Sequence, residues 1–138
     1  MNHVVDEIWT GPAIQVPIST LDAVLLGRKP AFMKLDVEGW ESEVLAGAKS
    51  TLSCSSLLCL IVEMNSSDAA FNANELAVHE CLLEHGFSPY AYDPRTRSLS
   101  SLPSKNLATV NTIYLRDIDR VRSLVQSSPP FSVNGQAL

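Results

Sequence analysis

The sequence predicts an α/β domain built on a parallel sheet with helices packed over it, and three features carry that expectation. Strand-like and helix-like segments alternate along the chain. Two mostly apolar segments, 31–37 and 57–62, have the composition of strands buried on both faces. Each leads into acidic or amide residues, at Asp36-Val37-Glu38 and at Glu63-Met64-Asn65.

A chain of 138 residues forms one ordinary domain and can bury a core without disulfides or metals. Its 46% hydrophobic and 18% charged residues, with a mean hydropathy near zero, mark a soluble globular protein. The net charge of −5, without any cluster of Lys and Arg, speaks against nucleic acid and anionic membranes as partners. A small molecule or a protein remains. Cys54, Cys59 and Cys81 have no ligand spacing and read as reduced core residues. The start has neither a basic region nor an apolar stretch of the secretory kind, and no apolar run could span a bilayer, so a cytoplasmic location is expected.

Taken in order, residues 14–18 alternate apolar and polar side chains like a short strand, which Pro17 confines to an edge. Ser19-Thr20-Leu21-Asp22 has the form of a capping box opening a helix over 22–26. Gly27 and Pro30 end that helix, and the strand over 31–37 follows. Trp40, Val44, Leu45, Ala48 and Leu52 recur at helical spacing, which predicts one amphipathic helix over 40–52. After the strand over 57–62, Asn72 or Asn74 caps a helix over 75–85, with Gly86 as its left-handed stop. Segments 89–92 and 109–115 read as an antiparallel pair joined by a polar, turn-rich stretch, 93–106. A short helix over 117–126 turns Ile118, Val121 and Val125 inward, and 127–138 reads as a loose tail beyond a domain of residues 1–126.

In open α/β sheets the ligand crevice lies beyond the carboxyl ends of the parallel strands. Two strands deliver acids to that edge, so Asp36, Glu38 and Glu63 are expected to converge as a carboxylate site. An acid at position 38 could instead do no more than cap the helix beginning at Trp40. Asp36 and Glu63 sit at the rims of buried strands, where an unused charge is costly. Asn65 and Asn111 are weaker candidates of a kind that loops carry routinely. His3, His79 and His85 lack ligand spacing, so no metal site is expected, and Tyr90 and Tyr92 read as strand packing.

The run Lys34-Leu35-Asp36-Val37-Glu38-Gly39-Trp40-Glu41-Ser42-Glu43-Val44-Leu45-Ala46-Gly47-Ala48, preceded by Thr20-Leu21-Asp22 and followed by Ile61-Val62-Glu63, resembles the FkbM methyltransferase family. The resemblance covers roughly residues 14–115 and implies a Rossmann-like methyltransferase sheet in truncated form. On that likeness the Asp36 strand is the fourth and the Glu63 strand the fifth, parallel to each other. The strands at Tyr90 and Ile113 form the final antiparallel hairpin, and helices flank the whole. S-adenosylmethionine is the implied cofactor, with Asp36 facing its methyl group, and Asp36, Glu38 and Glu63 are the implied catalytic residues. The implied reaction is O-methylation of a small-molecule or glycan hydroxyl.

The family's glycine-rich cofactor loop and second-strand acid find no counterpart, since Gly11 is the only glycine ahead of the matching region and follows no buried strand. The cofactor pocket therefore reads as half-built. A methyltransferase completed by an N-terminal half, a binding or assembly module, and an unrelated domain whose acids cap helices all remain open. The strand over 32–37 would lack a neighbour, which predicts self-association or a partner chain along that edge.

Overall fold

The computed structural model describes residues 10–65, 71–130, 132, 133, 136 and 137. Residues 12–20 have no regular structure, and Ile14 and Ile18 are 89% and 83% exposed, so the expected edge strand over 14–18 does not form. No described strand lies alongside to complete its ladder, and Pro17 has no N–H to donate. Helix α1, Leu21–Leu25, begins at Thr20, whose hydroxyl accepts from Ala23 N–H at 3.2 Å. The capping box does not close. Asp22 sits one position too early for it and instead accepts from the N–H groups of Ser50 and Thr51, each at 2.9 Å, and from the Thr51 hydroxyl at 2.7 Å.

Those bonds explain the second departure. The expected helix over 40–52 is two helices, α2 (Glu41–Ala46) and α3 (Lys49–Ser53). Asp22 caps the start of α3 from 28 residues away, and its backbone N–H takes the Gly47 carbonyl at 3.0 Å. A Cβ at Gly47 would lie 3.2 Å from Thr20 Cβ, so only glycine lets α1 approach this break without displacement.

Strand β1, Phe32–Leu35, pairs in parallel with β2, Cys59–Glu63. The 12-residue helix α4, Ala73–Glu84, opens on a complete capping box between Asn72 and Glu75. It closes at Gly86, φ +79°, with Phe87 N–H on Leu82 O and Gly86 N–H on Leu83 O, the pattern that a left-handed glycine stop makes. Strand β3 is Ser88–Asp93. The stretch expected to be only a connection contains β4, Ser98–Ser101, folded back on β3 by an Asp93 turn with bonds to Arg95 N–H and the Thr96 hydroxyl. Strand β5, Asn111–Leu115, enters antiparallel between β2 and β3, giving the order β1-β2-β5-β3-β4. Helix α5, Ile118–Ser127, starts from Asp117. Within the tail expected to be loose, β6 (Ser132–Val133) and β7 (Gln136–Ala137) form a small antiparallel ladder of their own.

The result is a mixed α/β sheet with a core on each face. Leu60, Val62 and Tyr114 point into the larger one, with Leu45, Leu52, Val78 and Leu82 from the helices. Alternate residues of the same strands, Cys59 and Ile113, meet Val121 and Ile118 of α5 in the smaller one. The first parallel strand departs from the doubly buried reading: β1 lies at the sheet edge, with Phe32 53% exposed and only Leu35 buried. No described helix is long and apolar enough to cross a membrane.

Candidate functional site

Parallel pairing of β1 with β2 brings the two acid-bearing strand ends side by side, Leu35 opposite Val62 and each followed by its acid. The Asp36 and Glu63 carboxyls lie close enough for each to perturb the other. That contact pushes the Glu63 carboxyl above its ordinary range, reinforced by burial and by the charges of Asp36 and Glu38. Asp36 moves the opposite way because the Lys34 ammonium hydrogen-bonds to it, with Glu63 as the second cause. The two carboxyls are thus pushed in opposite directions, Glu63 up and Asp36 down. The charge of Glu38 acts on Glu63 in the same upward direction, and Asn65, one of the weaker candidates, offsets part of the rise.

Glu38 does not cap α2. The cap position is Trp40, with no side-chain bond to the helix. Glu38 instead occupies the left-handed region, φ +54°, followed by Gly39 at +95°, in a turn whose Trp40 N–H meets Val37 O at 3.4 Å. A glutamate there costs about 1–2 kcal/mol relative to ordinary backbone.

Two residues beyond the expected set build this turn. Glu41, 5% exposed, accepts from the N–H groups of Val37 and Gly39 at 3.3 Å through Oε1. Asn74 donates from Nδ2 to Glu41 Oε2 at 3.0 Å and to Gly39 O at 3.2 Å. Sequence reading passed over both because their partners are mostly backbone atoms; the signal available was an acid three residues after Glu38 at a helix start. Asn74 Oδ1 and Asn111 Oδ1 are buried without a partner among the described residues. Asn111 stands opposite Glu63 in the ladder. Asn74 borders a recess shared with Glu41, Glu63 and Met64 that has about 10 Å³ for a water centre, room for one.

Beside Glu63 lies an open groove of about 260 Å³, lined by Met64, Asn65 and residues 106–110. Its lining carries no Lys or Arg. The loop forming its far wall is anchored by Lys105, which reaches Glu75 at 3.0 Å with both side chains buried. Of the histidines and tyrosines read earlier, His3 lies outside the described residues, and His79, His85 and Tyr90 have structural partners. His79 bonds the Tyr114 hydroxyl at 2.7 Å, His85 reaches the Cys81 carbonyl at 2.8 Å, and Tyr90 packs in the smaller core. Among the described residues no three His, Cys, Asp or Glu side chains converge as metal ligands.

A family model described as the methyltransferase FkbM domain matches residues 2–89, which contain β1, β2 and all three acids. No curated protein and no solved structure matches the chain.

Proposed function

The chain belongs to the FkbM methyltransferase family, and from that premise we propose that it serves S-adenosylmethionine-dependent methyl transfer to a hydroxyl of a small molecule or glycan. The observation that carries this reading is the Asp36–Glu63 carboxyl pair at the carboxyl ends of adjacent parallel strands. S-adenosylmethionine, when bound, supplies a methyl group on a cationic sulfonium, and the acid cluster suits that charge. Asp36 is the residue to hold it, being ionised and at the strand rim. A glycine-rich turn to grip the methionine and ribose is not among the described residues, so that part of the pocket falls to an N-terminal half on the same or another chain.

The proton of the acceptor hydroxyl has to leave as its oxygen takes the methyl group, and a base works best with a proton affinity near the operating pH. Of the two carboxyls, Glu63 is the one shifted in that direction. We assign it the base role once its own proton has been lost, with Asp36 orienting and Glu38 adding negative charge. The groove beside Glu63 supports a neutral acceptor, since it offers Asn65 and Asn106 amides, the Thr109 hydroxyl and apolar Leu107 and Val110, but no cation for an anionic group.

A second reading, a binding or assembly module, is favoured by one observation: among the described residues β1 is an open edge, and its Phe32 is exposed. Isothermal titration of the chain with S-adenosylmethionine and S-adenosylhomocysteine separates the two. Binding that Asp36→Ala abolishes supports the methyltransferase reading; absence of binding at millimolar ligand defeats it for this chain alone and leaves the module.

A further inference from the structure

The turn carrying Glu38 is held in a conformation that its own residues do not favour, with Glu38 at φ +54° and one long backbone bond closing it. Among the described residues, Glu41 and Asn74 tie it down from outside. The buried Glu41 carboxylate accepts from Val37 N–H and Gly39 N–H on one oxygen and from the Asn74 amide on the other, and the Glu63 and Glu75 carboxyls line the same small recess. No Lys, Arg or His forms an ion pair with it among the described residues, and its three bonds come from neutral N–H donors. Asn74, in the first turn of α4, closes the arrangement by also donating to Gly39 O, which locks α2, α4 and the turn together.

We infer that Glu41 and Asn74 are positioning residues for the acid site, holding the strained 37–39 turn so that Glu38 stays beside the Asp36–Glu63 pair. Neither touches the reacting groups; they act through the turn. A glutamine at position 41 cannot replace the carboxylate, because its amide nitrogen would face a donor whichever way the group is flipped. An alanine at position 74 leaves the two backbone bonds to Glu41 Oε1 and removes only the tie to α4. The inference rests on reading the three acids as a working site, yet its test needs neither cofactor nor methyl acceptor.

The test follows the carboxyl groups and amides of the chain by NMR. Glu41→Gln should speed hydrogen exchange at the Val37 and Gly39 amides by about tenfold, the effect of one lost hydrogen bond. The Glu63 titration midpoint should move down toward the ordinary glutamate range as Glu38 leaves its place, while far-UV circular dichroism is unchanged. Asn74→Ala should move both in the same direction by a smaller amount. Unchanged Glu63 titration in both variants with the fold intact would overturn the inference. Should Glu41→Gln fail to fold, Glu38→Gly supplies the background, because glycine takes the positive φ without help. There Glu41→Gln should cost less stability than in the parent chain, since the turn no longer stores strain, and a loss as large as in the parent chain would equally overturn the inference. A chain that fails to bind S-adenosylmethionine but shows these shifts would lose the proposed function and keep the positioning role.

Discussion

Glu63 and Asp36 sit in contact yet are pushed in opposite directions, and the sign of each shift fixes what pH does to the fold. Asp36 holds its proton less tightly folded than unfolded, so its contribution to stability is present above its ordinary range and lost as pH falls through the lowered value. Glu63 holds its proton more tightly folded, so its contribution is complete below the ordinary glutamate range and lost as pH rises through the raised one. Replacing Asp36 by Asn tests the coupling. The amide removes a neighbouring charge and offers an N–H to ionised Glu63, so the Glu63 midpoint should fall toward or below the ordinary value, read from its side-chain carboxyl shift across a pH titration. A midpoint that stays raised would mean that burial and the Glu38 charge set it, and the pair would lose its standing as a coupled unit. The same reasoning separates Glu38 from a helix cap: its charge acts on Glu63 and its backbone is strained, whereas an N-cap residue would bond α2 and does not.

The ends of the elements are where distant residues meet, and Arg116 shows it most clearly. Its guanidinium donates to the carbonyls of Leu52, Cys54, Leu57 and His85 and stacks over Phe87 with 4.4 Å to the ring centroid. Three of those carbonyls, Leu52, Cys54 and His85, close α3 and α4, where a cation also meets the negative ends of both helix dipoles. Arg116→Met keeps the apolar stem and leaves the carbonyls unmet, which should lower stability by about 3 kcal/mol in urea unfolding; a loss below half of that would show that water replaces the guanidinium freely. This residue also marks the limit of what the sequence made legible. Where an element is bounded by its own neighbours, as α4 is by Asn72 and Gly86, the pattern was sufficient. Where a distant group decides, it was not: Asp22 splits the helix over 40–52, and the serine-rich β4 exists because Asp93 turns the chain back on β3. The site divides the same way. Asp36 and Glu63 were readable because strand ends in a parallel pair must be adjacent, while Glu41 and Asn74 bind backbone atoms that carry no sequence signature.

Across the whole molecule the two edges of the five-stranded sheet are unlike. At one end β4 presents Ser98, Leu99, Ser100 and Ser101, short and polar, which is a blunted edge. At the other, β1 presents Phe32 at 53% exposure, and the chain leading to it exposes Ile14, Val16, Ile18, Val24 and Leu26. Among the described residues β1 has no outer neighbour, and although Lys34 places one charge on it, an edge carrying an exposed Phe32 is one that a second strand could cover. The expected outcome is concentration-dependent association of the isolated chain in sedimentation experiments in the micromolar range, with a symmetric dimer as the simplest closed form. Phe32→Lys places a charge on that edge without touching a buried residue, so it should return the chain to monomer while leaving its circular dichroism unchanged. A chain that stays monomeric through tens of micromolar before any substitution removes β1 as an association edge. A dimer that survives Phe32→Lys places the contact elsewhere. Loss of association together with preserved Asp36–Glu63 titration would show that the acid site is assembled within one chain, and that whatever covers β1 adds to a site already formed.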